Sequence, residues 1–83
     1  MSAKQKRVTA IRNHPKDVRF DDACRVAQWL GFVAKASGGT SHHAFARPGE
    51  ATGLNFQNRG GKIPAYQARQ LIVMIDKYEE ELL

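Results

Sequence analysis

The sequence predicts an α+β fold. The expected order is α-β-β-β-α, with a three-stranded antiparallel sheet carrying its helices on one face, preceded by a short basic N-terminal helix. Two apolar stripes of helical period, one around residues 20–30 and one after residue 64, supply the covering helices. Between them, Gly38–Gly39 and then Pro48, Gly49 and Gly53 divide the chain into three segments of strand length. With 83 residues, 42% of them hydrophobic, the chain has material for one domain and one modest core.

Residues 3–12 read as the basic helix, with Val8 and Ile11 at the i, i+3 spacing of a narrow apolar stripe. "NHPKDV" ends it, because Pro15 disfavours helical backbone at the residue before it. Helix resumes at Phe20. Phe20, Ala23, Cys24, Ala27 and Leu30 share one face, Val26 and Trp29 widen it, and Gly31 is the stop. Asp21 and Asp22 lie in the first turn, where they oppose the positive end of the helix dipole. Strands are expected at "FVAKAS" (32–37), "SHHAFAR" (41–47) and "LNFQN" (54–58), the last alternating apolar Leu54 and Phe56 with polar Asn55 and Gln57. After "RGGK", Pro64 suits a helix's first turn, and Ala68, Leu71, Ile72, Ile75 and Leu82 form the final stripe, with Tyr78 beside it.

The net charge of +5 is unevenly distributed. Residues 1–19 hold Lys4, Lys6, Arg7, Arg12, Lys16 and Arg19 against Asp17. Residues 20–69 hold Arg25, Lys35, Arg47, Arg59, Lys62 and Arg69 against Asp21, Asp22 and Glu50. The remainder is acidic, with Lys77 against Asp76, Glu79, Glu80 and Glu81. A basic body with an acidic end implies a polyanionic partner on one side, nucleic acid above all. The sequence has no apolar run near the ~18 residues of a membrane span, and its basic start lacks the apolar segment of a secretory signal. Cys24 is the single cysteine, which excludes an internal disulfide and thiolate-rich zinc patterns and fits a reducing cytoplasm. Its place on the apolar helix face marks it as core.

"SGGTSHHAFARPG" (37–49) sets two histidines side by side in an expected strand. Alternation sends His43 to the side of Phe45 and leaves His42 on the opposite, wet face with Ala44. Residues that diverge in this way are poorly placed to chelate one ion, and no carboxylate stands at ligand spacing, so no metal or other cofactor is implied. An imidazole can move protons near neutral pH, and RNA carries its own nucleophile, the 2′-OH. Lys35, Arg47, Arg59 and Lys62 are the cations available to steady the charge on phosphorus. Asn55 and Gln57 fall on the wet face beside His42. Tyr66 is open to two roles, stacking on a base or packing at the start of its helix. Spacing alone stops at an RNA-binding face whose histidine is either a base or a solvated surface group.

Three stretches together resemble the HicA toxin family: "NHPKDVRFDDACRVAQWLGF" (13–32), "SGGTSHHAFARPG" (37–49), similar to its G-S-H-H-x-F signature, and "GKIPAYQARQLIVMIDKY" (61–78). The resemblance implies a fold like that of double-stranded RNA-binding domains. It also implies a cytoplasmic messenger-RNA endonuclease that needs no metal and is silenced by a HicB-like antitoxin. On this chain the catalytic position falls at His42, with His43 as the second candidate. Gly39 and Ser41 of the signature join Lys35, Arg47, Asn55, Gln57, Arg59 and Lys62 as RNA-contacting positions. Residues 1–16 then form a basic N-terminal helix or extension, and 17–83 the HicA-like ribonuclease domain. One departure is visible: Thr40 stands between Gly39 and Ser41, an inserted residue that bears on which histidine faces outward.

Overall fold

The structure, a computed structural model, describes residues 3–35 and 42–82. Its elements run α1 (Ala3–Asn13), α2 (Phe20–Trp29), β1 (Val33–Ala34), β2 (His42–Ala46), β3 (Leu54–Gln57) and α3 (Ala65–Tyr78), followed by a 3-10 turn (Glu79–Leu82). The three strands form one antiparallel meander in the order β1-β2-β3. The expected α+β class and element order are therefore those of the molecule. None of the described helices is long and apolar enough to cross a membrane.

A single core lies between the sheet and the helices. The sheet contributes Phe45, Leu54 and Phe56; α2 and its exit contribute Ala23, Val26, Ala27, Leu30 and Phe32; α3 contributes Ala68, Leu71, Met74 and Ile75. Val8 and Ile11 of α1 are buried in the same cluster, so α1 is packed against the body. Arg12 reinforces this by pairing with Asp76 and with Glu79 at 3.4 Å, and Arg7 pairs with Asp22 at 3.4 Å. On α2 the buried stripe centres on Ala23, Val26 and Ala27, while Phe20, Cys24 and Trp29 are partly buried at its margins. On α3 Met74 is buried and Ile72 is at the margin, a rotation of the stripe relative to the one expected.

Residues 36, 37 and 41 of the expected strands lie outside the described residues; β1 begins one residue later than the sequence pattern suggested, and the cause is visible there. α2 ends in a Schellman turn: Gly31, at φ +91°, donates to Gln28 C=O at 3.0 Å, and Phe32 donates to Ala27 C=O at 3.0 Å. Phe32 is thereby committed to the helix exit and buried there, and strand pairing starts only at Val33. Lys35 N–H continues it with a 2.8 Å bond to Ala44 C=O. Pro64 precedes α3 as its N-cap and does not occupy the first turn.

The start of α2 is joined to the loop before α3. Arg19 bridges to Lys62, Phe20 N–H bonds Gly61 C=O at 2.9 Å, and Ile63 N–H bonds Val18 C=O at 3.0 Å. These bonds supply one of the orphan donors of α2, whose N-cap Arg19 offers no side-chain bond. They also bring the 59–62 turn and the start of α2 to the sheet end where β2 begins.

Candidate functional site

The register fixes the two faces of the sheet. Phe45 pairs with Leu54 and His43 with Phe56, all turned toward the helices; Ala44 pairs with Asn55 and His42 with Gln57 on the opposite face. His43 is half-buried, its ring edge-on to Phe20 with centroids 4.9 Å apart. His42 is exposed. Val33 lies opposite Ala46 on the open face and is 63% exposed. Lys35, bonded to Ala44, sits diagonally next to His42 on that face.

His42 and Gln57 are a close pair. The Gln57 N–H is given to Gln67 Oε1 at 2.7 Å, away from the sheet, which makes His42–Gln57 a non-hydrogen-bonded cross-strand pair. Such pairs hold their side chains nearer together than hydrogen-bonded ones. Gln67 itself is only 3% exposed and is the buried polar residue of α3. Sequence reading missed it, although a signal was present: Gln67 stands four residues before Leu71 on an otherwise apolar stripe. A polar side chain placed there needs a partner, and the outward amide of β3 is that partner.

The four candidate cations are placed very differently. Lys35 is exposed beside His42. Arg59 is exposed in the turn just past β3, at the His42 end of the sheet. That turn is built by Gly60 and Gly61, both at positive φ, and by a 2.8 Å bond from Gly61 N–H to Asn58 Oδ1. Lys62 closes the same turn but is paired with Asp17, and this ammonium holds the Asp17 carboxyl below its usual range. Asp17, Arg19, Asp22, Gly60, Gly61 and Lys62 line an open cavity of about 410 Å³, where two carboxylates face the two cations.

Arg47 follows the alternation to the helix side. Its Nε–H donates to Leu30 C=O at 2.9 Å, and its guanidinium lies 3.8 Å from the centre of the Tyr78 ring. These contacts tie it to the α2 exit and α3, on the face opposite His42. Gly39 and Ser41 lie outside the described residues. Asn55 is exposed on the open face and Gln57 half-buried there. Burial, with a smaller contribution from Asp21, pushes the Cys24 thiol up to about 11, so it is no ready nucleophile.

Sequence reading also passed over Glu50, in the loop between β2 and β3. Its side chain is buried, accepting bonds from Lys77 Nζ at 2.6 Å, from the Tyr78 hydroxyl, and from Thr52 N–H at 2.9 Å. These donors, Lys77 foremost, hold its carboxyl down to about 2. No local pattern announced this, since Lys77 and Tyr78 are far along the chain on α3.

No family model, no curated protein and no solved structure matches this chain. The arrangement of side chains is what any functional reading has to stand on. Among the described residues, no three His, Cys, Asp or Glu side chains gather as a metal site would require. What the open face offers chemically is one exposed imidazole with an ammonium, a carboxamide pair and a basic turn around it.

Proposed function

We propose that the chain is a HicA-type toxin: an endoribonuclease that cleaves messenger RNA with His42 as general base and is held inactive by a HicB-like antitoxin. The observation that carries this reading is the position of His42, exposed on the open sheet face between Lys35 and Gln57 while His43 packs against Phe20. The signature-like stretch around the histidines and the α-β-β-β-α order give it further support. RNA lies across the open face with phosphates near Lys35 and Arg59. His42 removes the 2′-OH proton, the 2′ oxygen attacks phosphorus, and the bond from phosphorus to the 5′ oxygen breaks. The departing 5′ oxygen takes a proton from solvent. The products are a 2′,3′-cyclic phosphate and a free 5′-hydroxyl, and no step calls for a metal ion.

Digestion of RNA in EDTA followed by end-group analysis tests the proposal. Cleavage that persists and leaves 5′-hydroxyl ends is expected; loss of activity on chelation, or 5′-phosphate ends, overturns it.

One observation favours a second reading, a non-catalytic RNA-binding module of the same fold. Lys62 is occupied with Asp17, and Arg47 with Leu30 and Tyr78, which leaves fewer cations near His42 for a phosphorane than for simple backbone binding. The two readings separate on His42→Ala. An enzyme loses cleavage and keeps RNA affinity, whereas a binding module never cleaves.

A further inference from the structure

Tyr66 lies in the first turn of α3 and is 54% exposed. A ring left in water on an amphipathic helix adds little to the core, so packing does not account for it. Its hydroxyl accepts a 3.3 Å bond from Gln67 Nε2, while Gln67 Oε1 takes the Gln57 N–H at 2.7 Å. One buried amide thus ties the phenol to the outer edge of β3, at the very residue that pairs with His42. Across this end of the sheet the order is Lys35, His42, Gln57 and then Tyr66 beyond the β3 edge. From β1 to β3 the distance is about 10 Å, two strand spacings. Arg59, exposed, follows Gln57 by two residues.

We infer that Tyr66 is a stacking platform for an unpaired nucleobase, and that the substrate crossing His42 is single-stranded RNA. The inference rests on the ribonuclease reading for the role of His42 and adds the substrate class. In a duplex both faces of each base are covered by neighbours, so an exposed ring at the same sheet end as the exposed Lys35 and Arg59 finds a stacking partner only in an unpaired base. The bond to Gln67 restrains the phenol before RNA arrives, which reduces the ordering cost of stacking. Lys35 and Arg59 hold phosphates on either side, and the ring fixes where along the strand the 2′-OH meets His42.

The test compares wild type with Tyr66→Phe, Tyr66→Leu and Tyr66→Ala, each first checked for a wild-type-like urea transition. Affinity is measured by fluorescence anisotropy with a non-cleavable 2′-O-methyl oligoribonucleotide, alone and annealed to its complement; cleavage is measured on the unmodified strand. Tyr66→Ala and Tyr66→Leu are expected to weaken single-strand binding about tenfold, with Tyr66→Phe within about twofold and duplex binding alike in all four proteins. One abasic position in the strand should erase the difference between wild type and Tyr66→Ala. Equal single-strand affinity in wild type and Tyr66→Ala, or an equal loss on the duplex, overturns the platform. Cleavage by wild type with no dependence on Tyr66 overturns the platform alone. Ring-dependent binding without cleavage keeps the platform and overturns the ribonuclease reading, and absence of both binding and cleavage overturns the two together.

Discussion

His42 and Gln57 face each other across β2 and β3 as a non-hydrogen-bonded pair, because the Gln57 amide is drawn outward to Gln67 at 2.7 Å. The catalytic proposal depends on this pair more than on the doublet of histidines as such, since the sheet gives the two rings opposite surroundings.

Replacing each histidine separately exposes that difference. His42→Ala should lower RNA cleavage by about 10²- to 10⁴-fold, the usual contribution of a general base, and change stability by no more than about 0.5 kcal/mol, as for an exposed residue. His43→Ala should remove the edge contact with Phe20 and cost about 1 kcal/mol while sparing the chemistry. Cleavage rates and urea midpoints on the same preparations check both. The opposite pattern, a stable His43→Ala with no activity, would show that the inner ring is the base.

Gln67 should matter far more than an amide on a helix ordinarily does. In Gln67→Leu the Gln57 N–H loses its acceptor at a buried edge, an expected loss of about 1–3 kcal/mol. Gln67→Glu keeps an acceptor at that place and should recover part of the loss at a pH where the carboxylate is charged. Urea denaturation with amide hydrogen exchange at Gln57 reads this directly. Unchanged exchange protection at Gln57 in Gln67→Leu would mean that the bond is not what holds the edge.

Much of this was legible in the sequence. The three strands and two covering helices followed from Gly and Pro punctuation and from apolar spacing, and the opposite fates of His42 and His43 followed from strand alternation alone. Contacts between distant parts of the chain were not legible. Arg47 looked like any other cation near the signature until Leu30 C=O and the Tyr78 ring claimed it, and Lys62 until Asp17 did. Phe32 looked like a strand residue because nothing local says that a Schellman turn will bury it. Gln67 and Glu50 show the same limit: their partners on β3 and α3 exist only once the elements are assembled.

Glu50 gives the fold a predictable acid limb. Its carboxyl is held at about 2 against an ordinary 4.5, chiefly by Lys77 and then by the Tyr78 hydroxyl and Thr52 N–H. A depressed folded-state pKa stabilises above the unfolded value and loses that contribution as pH falls through the folded one. Wild type should therefore exceed Glu50→Gln in stability by a constant amount near neutrality, with the gap closing between pH 4.5 and about 2. Urea midpoints measured across that range decide it, and a gap independent of pH would place the effect of the substitution in packing.

Gly31 and Arg47 should prove coupled. Gly31 sits at φ +91° and a Cβ there would come within 3.1 Å of Arg47 Nε, which is already bonded to Leu30 C=O at 2.9 Å. Gly31→Ala therefore strains the Schellman turn, at about 1–2 kcal/mol for an L residue in left-handed backbone, and also displaces the guanidinium from Leu30. Arg47→Ala removes the bond to Leu30 and the stack on Tyr78, for a loss of about 1–2 kcal/mol. In the double variant the new Cβ meets no guanidinium, and the Arg47 contacts are lost only once, so the two losses should sum to more than the double variant shows. Four urea transitions complete the cycle. Strict additivity would mean that a Cβ at position 31 leaves the Arg47 contacts undisturbed, and that the two residues are not coupled.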